Sequence, residues 1–150
     1  MISGKYMTKA SSFDDVLLIP GFFSGKSRNE VSISSKISGL ELETPIISAN
    51  MPSVTDVDMC RVMHKMGGLG ILHRMNGLDY EIEQSAKLKD EGCIHGVSVG
   101  YQFTDEQLER LVKTSDIVCL DVAHAAQEQT TNFYRKFRRK YPNKPLILFS

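Results

Sequence analysis

The chain has 150 residues, with Lys+Arg and Asp+Glu balanced at 18 each, and is 41% hydrophobic and 24% charged. That is the composition of one globular domain with a sizeable core, and the zero net charge excludes a partner held by a basic surface, whether nucleic acid or an acidic membrane. No apolar run approaches the roughly 20 residues that span a bilayer. The segment Met1–Ala10 lacks the apolar core of a signal peptide. Three cysteines without CxxC or His/Cys spacing argue for a reducing compartment, the cytoplasm, and against a disulfide frame or zinc.

Residues 1–12 read as a flexible arm. Phe13–Pro20 is a short apolar segment stopped by Pro20-Gly21, and Lys26–Glu30 is a polar loop. Val31–Ile37 alternates apolar and polar residues, as a half-exposed strand outside the main sheet would. The regular part begins at Pro45. Pro45–Asn50 predicts a buried strand, and Thr55 is the expected N-cap of a helix that Gly67-Gly68 ends. Leu69–His73 predicts the second strand, and a helix opened by Gly77 or Asp79 closes at Gly92. Ile94–Val99 is the third strand, and Thr104 with Gln107 forms a capping box. Ile117–Leu120 is the fourth strand, a basic helix follows over 126–140, and Pro145–Phe149 is the fifth strand.

Strand and helix alternate every 23 to 29 residues or roughly so, which predicts parallel strands with right-handed crossovers. An open doubly wound sheet and a (β/α)8 barrel both satisfy that pattern. No G-x-G-x-x-G and no Walker A loop follows any strand, which takes support from the nucleotide-binding open sheets. The fold expected is a partial TIM (β/α)8 barrel of about five parallel strands and four helices, over 13–150. In a barrel the chemistry lies just after the strands. Asn50 and Met51, His73 and Arg74, Gly100 and Tyr101, and Asp121, Ala123 and His124 hold those places. Each also has a plainer role open to it. Asn50 can hold a turn, His73 can be a satisfied core histidine, Arg74 a surface cation and Asp121 the cap of the next helix. Gly67, Gly68 and Gly70 fit helix termination and close packing better than phosphate binding. Cys60, Cys93 and Cys119 fall in or beside regular elements rather than in strand-to-helix loops, as structural thiols do.

Phe13-Asp-Asp-Val-Leu-Leu-Ile-Pro20, Ser27-Arg-Asn-Glu-Val31, Pro45-Ile-Ile-Ser-Ala-Asn-Met51, Gly68-Leu-Gly-Ile-Leu-His-Arg74, Gly96-Val-Ser-Val-Gly100 and Leu120-Asp-Val-Ala-His124 stand in this order. In that order they resemble the IMP dehydrogenase/GMP reductase family over residues 13–150. Asp121-Val122-Ala123 is similar to the reductases, where dehydrogenases usually have Asp-Ser-Ser. The second and third strands are only about 20 residues apart, too close for the paired regulatory domains many dehydrogenases insert there.

The resemblance implies covalent chemistry. A cysteine on the loop after the sixth barrel strand attacks C2 of the purine nucleotide, ammonia leaves in the reductase direction, and NADPH (NAD in a dehydrogenase) exchanges hydride. It implies cofactor contacts at Ser27, Arg28, Arg74, Asp121, Val122 and Ala123, and nucleotide contacts at Ser48, Asn50 and Met51. Two guanidiniums suit the 2′-phosphate of NADPH, and a carboxylate can accept from ribose or amide donors. Arg74 stands where family reductases often carry lysine. Pro52 departs from the family's usual Asp and offers neither carboxylate nor N–H. The nucleophile, the potassium site formed with it and the glycine-rich phosphate loops belong to later strands. The expectation is therefore that this chain is the N-terminal part of a GMP reductase and turns over only with a complementary C-terminal half. IMP dehydrogenase without regulatory domains is the alternative enzyme. A half-barrel that binds purine nucleotide or self-associates through an exposed edge is the non-catalytic one.

Overall fold

The computed structural model describes residues 11–149, so most of the expected arm at 1–12 lies outside the described residues. The chain divides into two compact units, the first ending at Ser32 and the second beginning at Ile33. Within the first, Phe13–Asp15 and Arg28–Glu30 are single 3-10 turns, and the Ser27 hydroxyl caps the second by accepting from Asn29 N at 3.2 Å.

The second unit opens with a hairpin, β1 (Ser35–Ile37) and β2 (Leu40–Leu42), paired antiparallel. The alternation over 31–37 thus yields a strand only at its end. The partner strand at 40–42 gives no such signal, because the turn at Ser38-Gly39 carries the information. Both residues have positive φ (48° and 92°), as a two-residue hairpin turn of the primed kind requires.

Five parallel strands follow: β3 (Ile47–Ser48), β4 (Leu69–Leu72), β5 (His95–Val99), β6 (Ile117–Asp121) and β7 (Leu146–Phe149), in spatial order β3-β4-β5-β6-β7. The helices between them are α1 (Val57–Lys65), α2 (Leu78–Asp90), α3 (Asp105–Thr114) and α4 (Glu128–Lys140). Each of these five strands pairs with the next in sequence and every crossover between them is a helix, which is half of a (β/α)8 barrel, the one of the two folds open to the spacing that was expected.

Two apolar layers hold it. Leu72, Val97, Val99, Val118 and Leu120 face the helices, packed with Leu88, Leu108, Leu111 and Phe137. Leu69, Ile71, Ile117, Cys119 and Ile147 face the other way and meet Leu42 of the hairpin. Alternate residues of β4, β5 and β6 therefore serve opposite layers, as the pleat demands. Gly70 is needed for the first layer. A Cβ there would stand 2.7 Å from the Cys60 Cα, so α1 could not lie so close on β4.

Two local expectations change. The cap of α1 is Asp56, whose Oδ1 accepts from Met59 N at 3.0 Å, and not Thr55. Thr55 is fully buried instead, donating to the Ala49 carbonyl and meeting the Ser48 hydroxyl at 2.8 Å. It ties the end of β3 to the start of α1. The helix expected from Ala126 begins at Glu128, after a Gln127 that makes no side-chain cap.

Candidate functional site

The two ends of the parallel sheet are unlike. At the N-terminal end, the β1–β2 turn reaches β7, where Ser38 Oγ accepts from Leu146 N at 3.0 Å. Beside it, buried His95 at the start of β5 has Nε2 on Ser85 Oγ and Nδ1 on the Cys93 carbonyl, both at 2.8 Å. Burial pushes its pKa down, so the ring is neutral. Asp116 accepts from His95 N at 3.1 Å and from Lys89 Nζ at 3.0 Å.

At the C-terminal end, Arg74 follows β4 and Asp121 ends β6. Arg74 Nη2 reaches across the intervening β5 to Asp121 Oδ2 at 3.5 Å, with side chains 26% and 28% exposed. That length is too great for a strong charge-assisted hydrogen bond, so the ion pair leaves both groups with donor and acceptor capacity. Asp121 does not cap the next helix, which starts seven residues later.

Beneath this pair lies Glu81, on the first turn of α2 and 1% exposed. Its Oε1 accepts from Ser98 N, on β5, at 2.9 Å. Burial raises the Glu81 pKa to about 8, while the Ser98 N–H and the nearby Arg74 charge act to lower it. Among the described residues four buried side-chain polar atoms lack a partner. Three of them, Arg74 Nε, Glu81 Oε2 and Ser98 Oγ, belong to this cluster.

The remaining expected residues fall as follows. Ser48, half-buried, already meets Thr55 through its hydroxyl, and Asn50 is half-buried beyond it. The Met51 carbonyl accepts from Val54 N and Thr55 N, both at 2.9 Å, and its side chain is exposed. Pro52 sits second in that turn, where its fixed φ suits the geometry and no N–H is required. Val122 packs on the helix-side core, whereas Ala123 and His124 are exposed. Tyr101 is taken up by α4, its hydroxyl bonded to Thr130 and accepting from Gln127 Nε2 at 3.0 Å. His73 is buried, and its Nδ1 accepts from Met75 N at 3.2 Å. Ser27 and Arg28 lie in the first unit.

The cysteines are all buried, with Cys60 and Cys119 thiols pushed up to about 12 and Cys93 raised, by desolvation first in each case. None carries appreciable thiolate at neutral pH. Among the described residues no group of His, Cys, Asp and Glu could hold a metal ion, and no helix is long and apolar enough to cross a membrane.

Glu81 and Ser98 are the residues sequence reasoning missed. A signal existed for the first: Glu81 shares a helical face with Leu78, Ser85 and Leu88, an acid on the stripe that must turn inward.

A parallel half-barrel with its unsatisfied charges gathered at the C-terminal strand ends defines the scaffold class of the (β/α)8-barrel enzymes. The family can be given as well. The model of the IMP dehydrogenase / GMP reductase domain matches residues 10–148, and the chain belongs to that family. Its relatives carry both names. It is 37% identical over 91 residues to an inosine-5'-monophosphate dehydrogenase of Methanocaldococcus jannaschii, covering 59% of this chain and 18% of that protein. The corresponding protein of Nitrosopumilus maritimus is 34% identical over 84 residues, 55% of this chain and 18% of that one. A GMP reductase of Delftia acidovorans is 25% identical over 139 residues, 90% of this chain and 42% of the reductase. The chain thus spans less than half the length of these curated relatives.

Proposed function

We propose that the chain forms the cofactor side of a GMP reductase, an NADPH-dependent enzyme that deaminates GMP reductively to IMP in the cytoplasm. The observation that carries the reading is the Arg74–Asp121 pair, spanning β5 at the C-terminal end of the sheet at 3.5 Å. Its donor set suits a phosphorylated dinucleotide. A half-exposed guanidinium with a single long contact has free N–H groups for phosphate, and a half-exposed carboxylate can accept from ribose or amide donors. Val122 and Ala123 follow directly and would line the same contact, while Ser27 and Arg28, in the first unit, are proposed cofactor contacts on the family resemblance alone. Bound NADPH supplies the hydride.

Ser48, Asn50 and Met51 are proposed to face the nucleotide at the end of β3. The nucleophilic cysteine and the potassium site belong to later barrel strands, supplied covalently or by a complementary chain. This chain's own thiols, buried and with raised pKa values, are unsuited to the attack. Asp121-Val122-Ala123 and the alignment over 90% of the chain favour the reductase. The second reading, IMP dehydrogenase, is favoured by the higher identity, 37% over 91 residues.

Assay of the assembled barrel separates them. Turnover of GMP with NADPH, absent without the nucleophile-bearing half, is the expected result, whereas turnover of IMP with NAD alone would establish the dehydrogenase.

A further inference from the structure

The unpartnered atoms of the C-terminal cluster are chemically complementary. Arg74 Nε is an N–H donor, and Glu81 Oε2 is an acceptor once the carboxyl ionises. Arg74 crosses β5 to reach Asp121, and Glu81 is anchored on Ser98 of that same strand, which brings the two side chains to one place. One is fixed and the other is not. Glu81 is 1% exposed, and its Oε1 is anchored on Ser98 N at 2.9 Å. Arg74 is half-exposed, and among the described residues its guanidinium is held by the 3.5 Å contact of Nη2 with Asp121.

We propose that Glu81 is the positioning residue for Arg74, taking its Nε–H on Oε2 and aiming the terminal nitrogens out of the sheet as a fork for an anionic ligand group. The inference deepens the cofactor reading of Arg74 and rests on it for the identity of that ligand. A guanidinium gripped at Nε has its plane fixed, which leaves Nη1 and Nη2 for bidentate recognition of phosphate. A guanidinium gripped only through Nη2 by Asp121 has given part of that fork away.

The proton on Glu81 selects between the two positions. Neutral Glu81 cannot compete with Asp121, and the long Arg74–Asp121 contact is then the one made. Ionised Glu81 draws Nε in. The groups facing this carboxyl are Arg74 from the β4–α2 loop, the Ser98 N–H from β5, and the Cys119 thiol from β6, with Asp121 at that strand's end across from Arg74. The thiol, with its pKa pushed up to about 12, stays neutral through the range in which Glu81 ionises.

The test is the 15N–1H signal of Arg74 Nε in the full chain, followed from about pH 6 to about pH 10 and assigned by its loss in Arg74→Lys. The expected result is a single titration with a midpoint near that of Glu81, abolished in Glu81→Gln, whose amide oxygen can still accept from Ser98 N. A signal flat with pH in the wild-type chain, or a titration that survives in Glu81→Gln, would overturn the proposal. Should Glu81→Gln not fold, Arg74→Gln serves instead. The 13C midpoint of the Glu81 carboxyl should then rise, and an unmoved midpoint overturns the pairing. Added NADPH separates this inference from the reading beneath it. An Arg74 signal that titrates with Glu81 yet ignores NADPH supports the pairing and removes the cofactor assignment.

Discussion

The same sheet ends in two kinds of polar chemistry. At its N-terminal end His95, Ser85, Thr114, Asp116 and Lys89 form a chain of short contacts, and Lys144 donates to the Val112 and Ser115 carbonyls that end α3. At its C-terminal end the ion pair that joins the strand ends, Arg74–Asp121, is long, and among the described residues three buried atoms there lack partners. Buried polar groups that are fully bonded specify a fold, whereas those left unsatisfied cost stability and are retained where a ligand or a moving side chain uses them. The contrast fits a sheet whose N-terminal end serves stability and whose C-terminal end is the proposed ligand side.

Substitution at each end breaks or sharpens that assignment. The largest effect is expected at the stability end. His95→Ala opens a cavity, removes one of the two partners of Ser85 Oγ and strips the Cys93 carbonyl of the imidazole N–H it accepts. It should cost on the order of 3 to 4 kcal/mol, read from chemical denaturation. A loss below about 1 kcal/mol would mean that the network is not what holds this end together.

At the other end a substitution should stabilise. The Glu81 pKa is raised from 4.5 to about 8 by burial, so the folded state keeps a proton that the unfolded chain has released. Stability from this group is complete below about pH 4.5, falls as pH rises toward 8, and is level above that. Glu81→Gln should remove the slope and leave the variant more stable than wild type at pH 8, by up to a few kcal/mol at 1.4 per pKa unit or roughly so. Parallel stability–pH curves for the two proteins would contradict the contrast.

Arg74→Ala should change stability by less than about 1 kcal/mol, since the contact it removes is long and partly solvated. Smallest of all is Arg61→Ala. Arg61 bridges Asp58 at 2.6 Å and Glu91 at 2.7 Å on the helical surface, yet exposed pairs contribute little and fade with salt. Here the shorter distances mark the less consequential pair.

Much of this was legible in the chain itself. The short strand-like runs at 69–73, 94–99 and 117–120, with helices between them at even spacing, led to the parallel half-barrel, and placed Arg74 and Asp121 at strand ends. The β1–β2 hairpin was not legible, because a three-residue strand such as Leu40–Leu42 shows no period and is fixed by its turn and by burial of Leu42 against Leu69 and Ile71. Thr55 and Asp56 are both good caps by type, and only the pull of the β3 end on the Thr55 hydroxyl decides between them. Glu81 escaped for a related reason. Its helix position was visible, but its partner, the Ser98 N–H on β5, is brought to it only by the way α2 packs on the sheet.

The account stands on the Arg74–Asp121 end being the cofactor side of the sheet, and calorimetric titration of the full chain and of Arg74→Ala with NADPH tests that most directly. Binding by the full chain, weakened at least about tenfold in the variant (on the order of 1.4 kcal/mol), is the result predicted. Equal affinity of the two proteins for NADPH would contradict it.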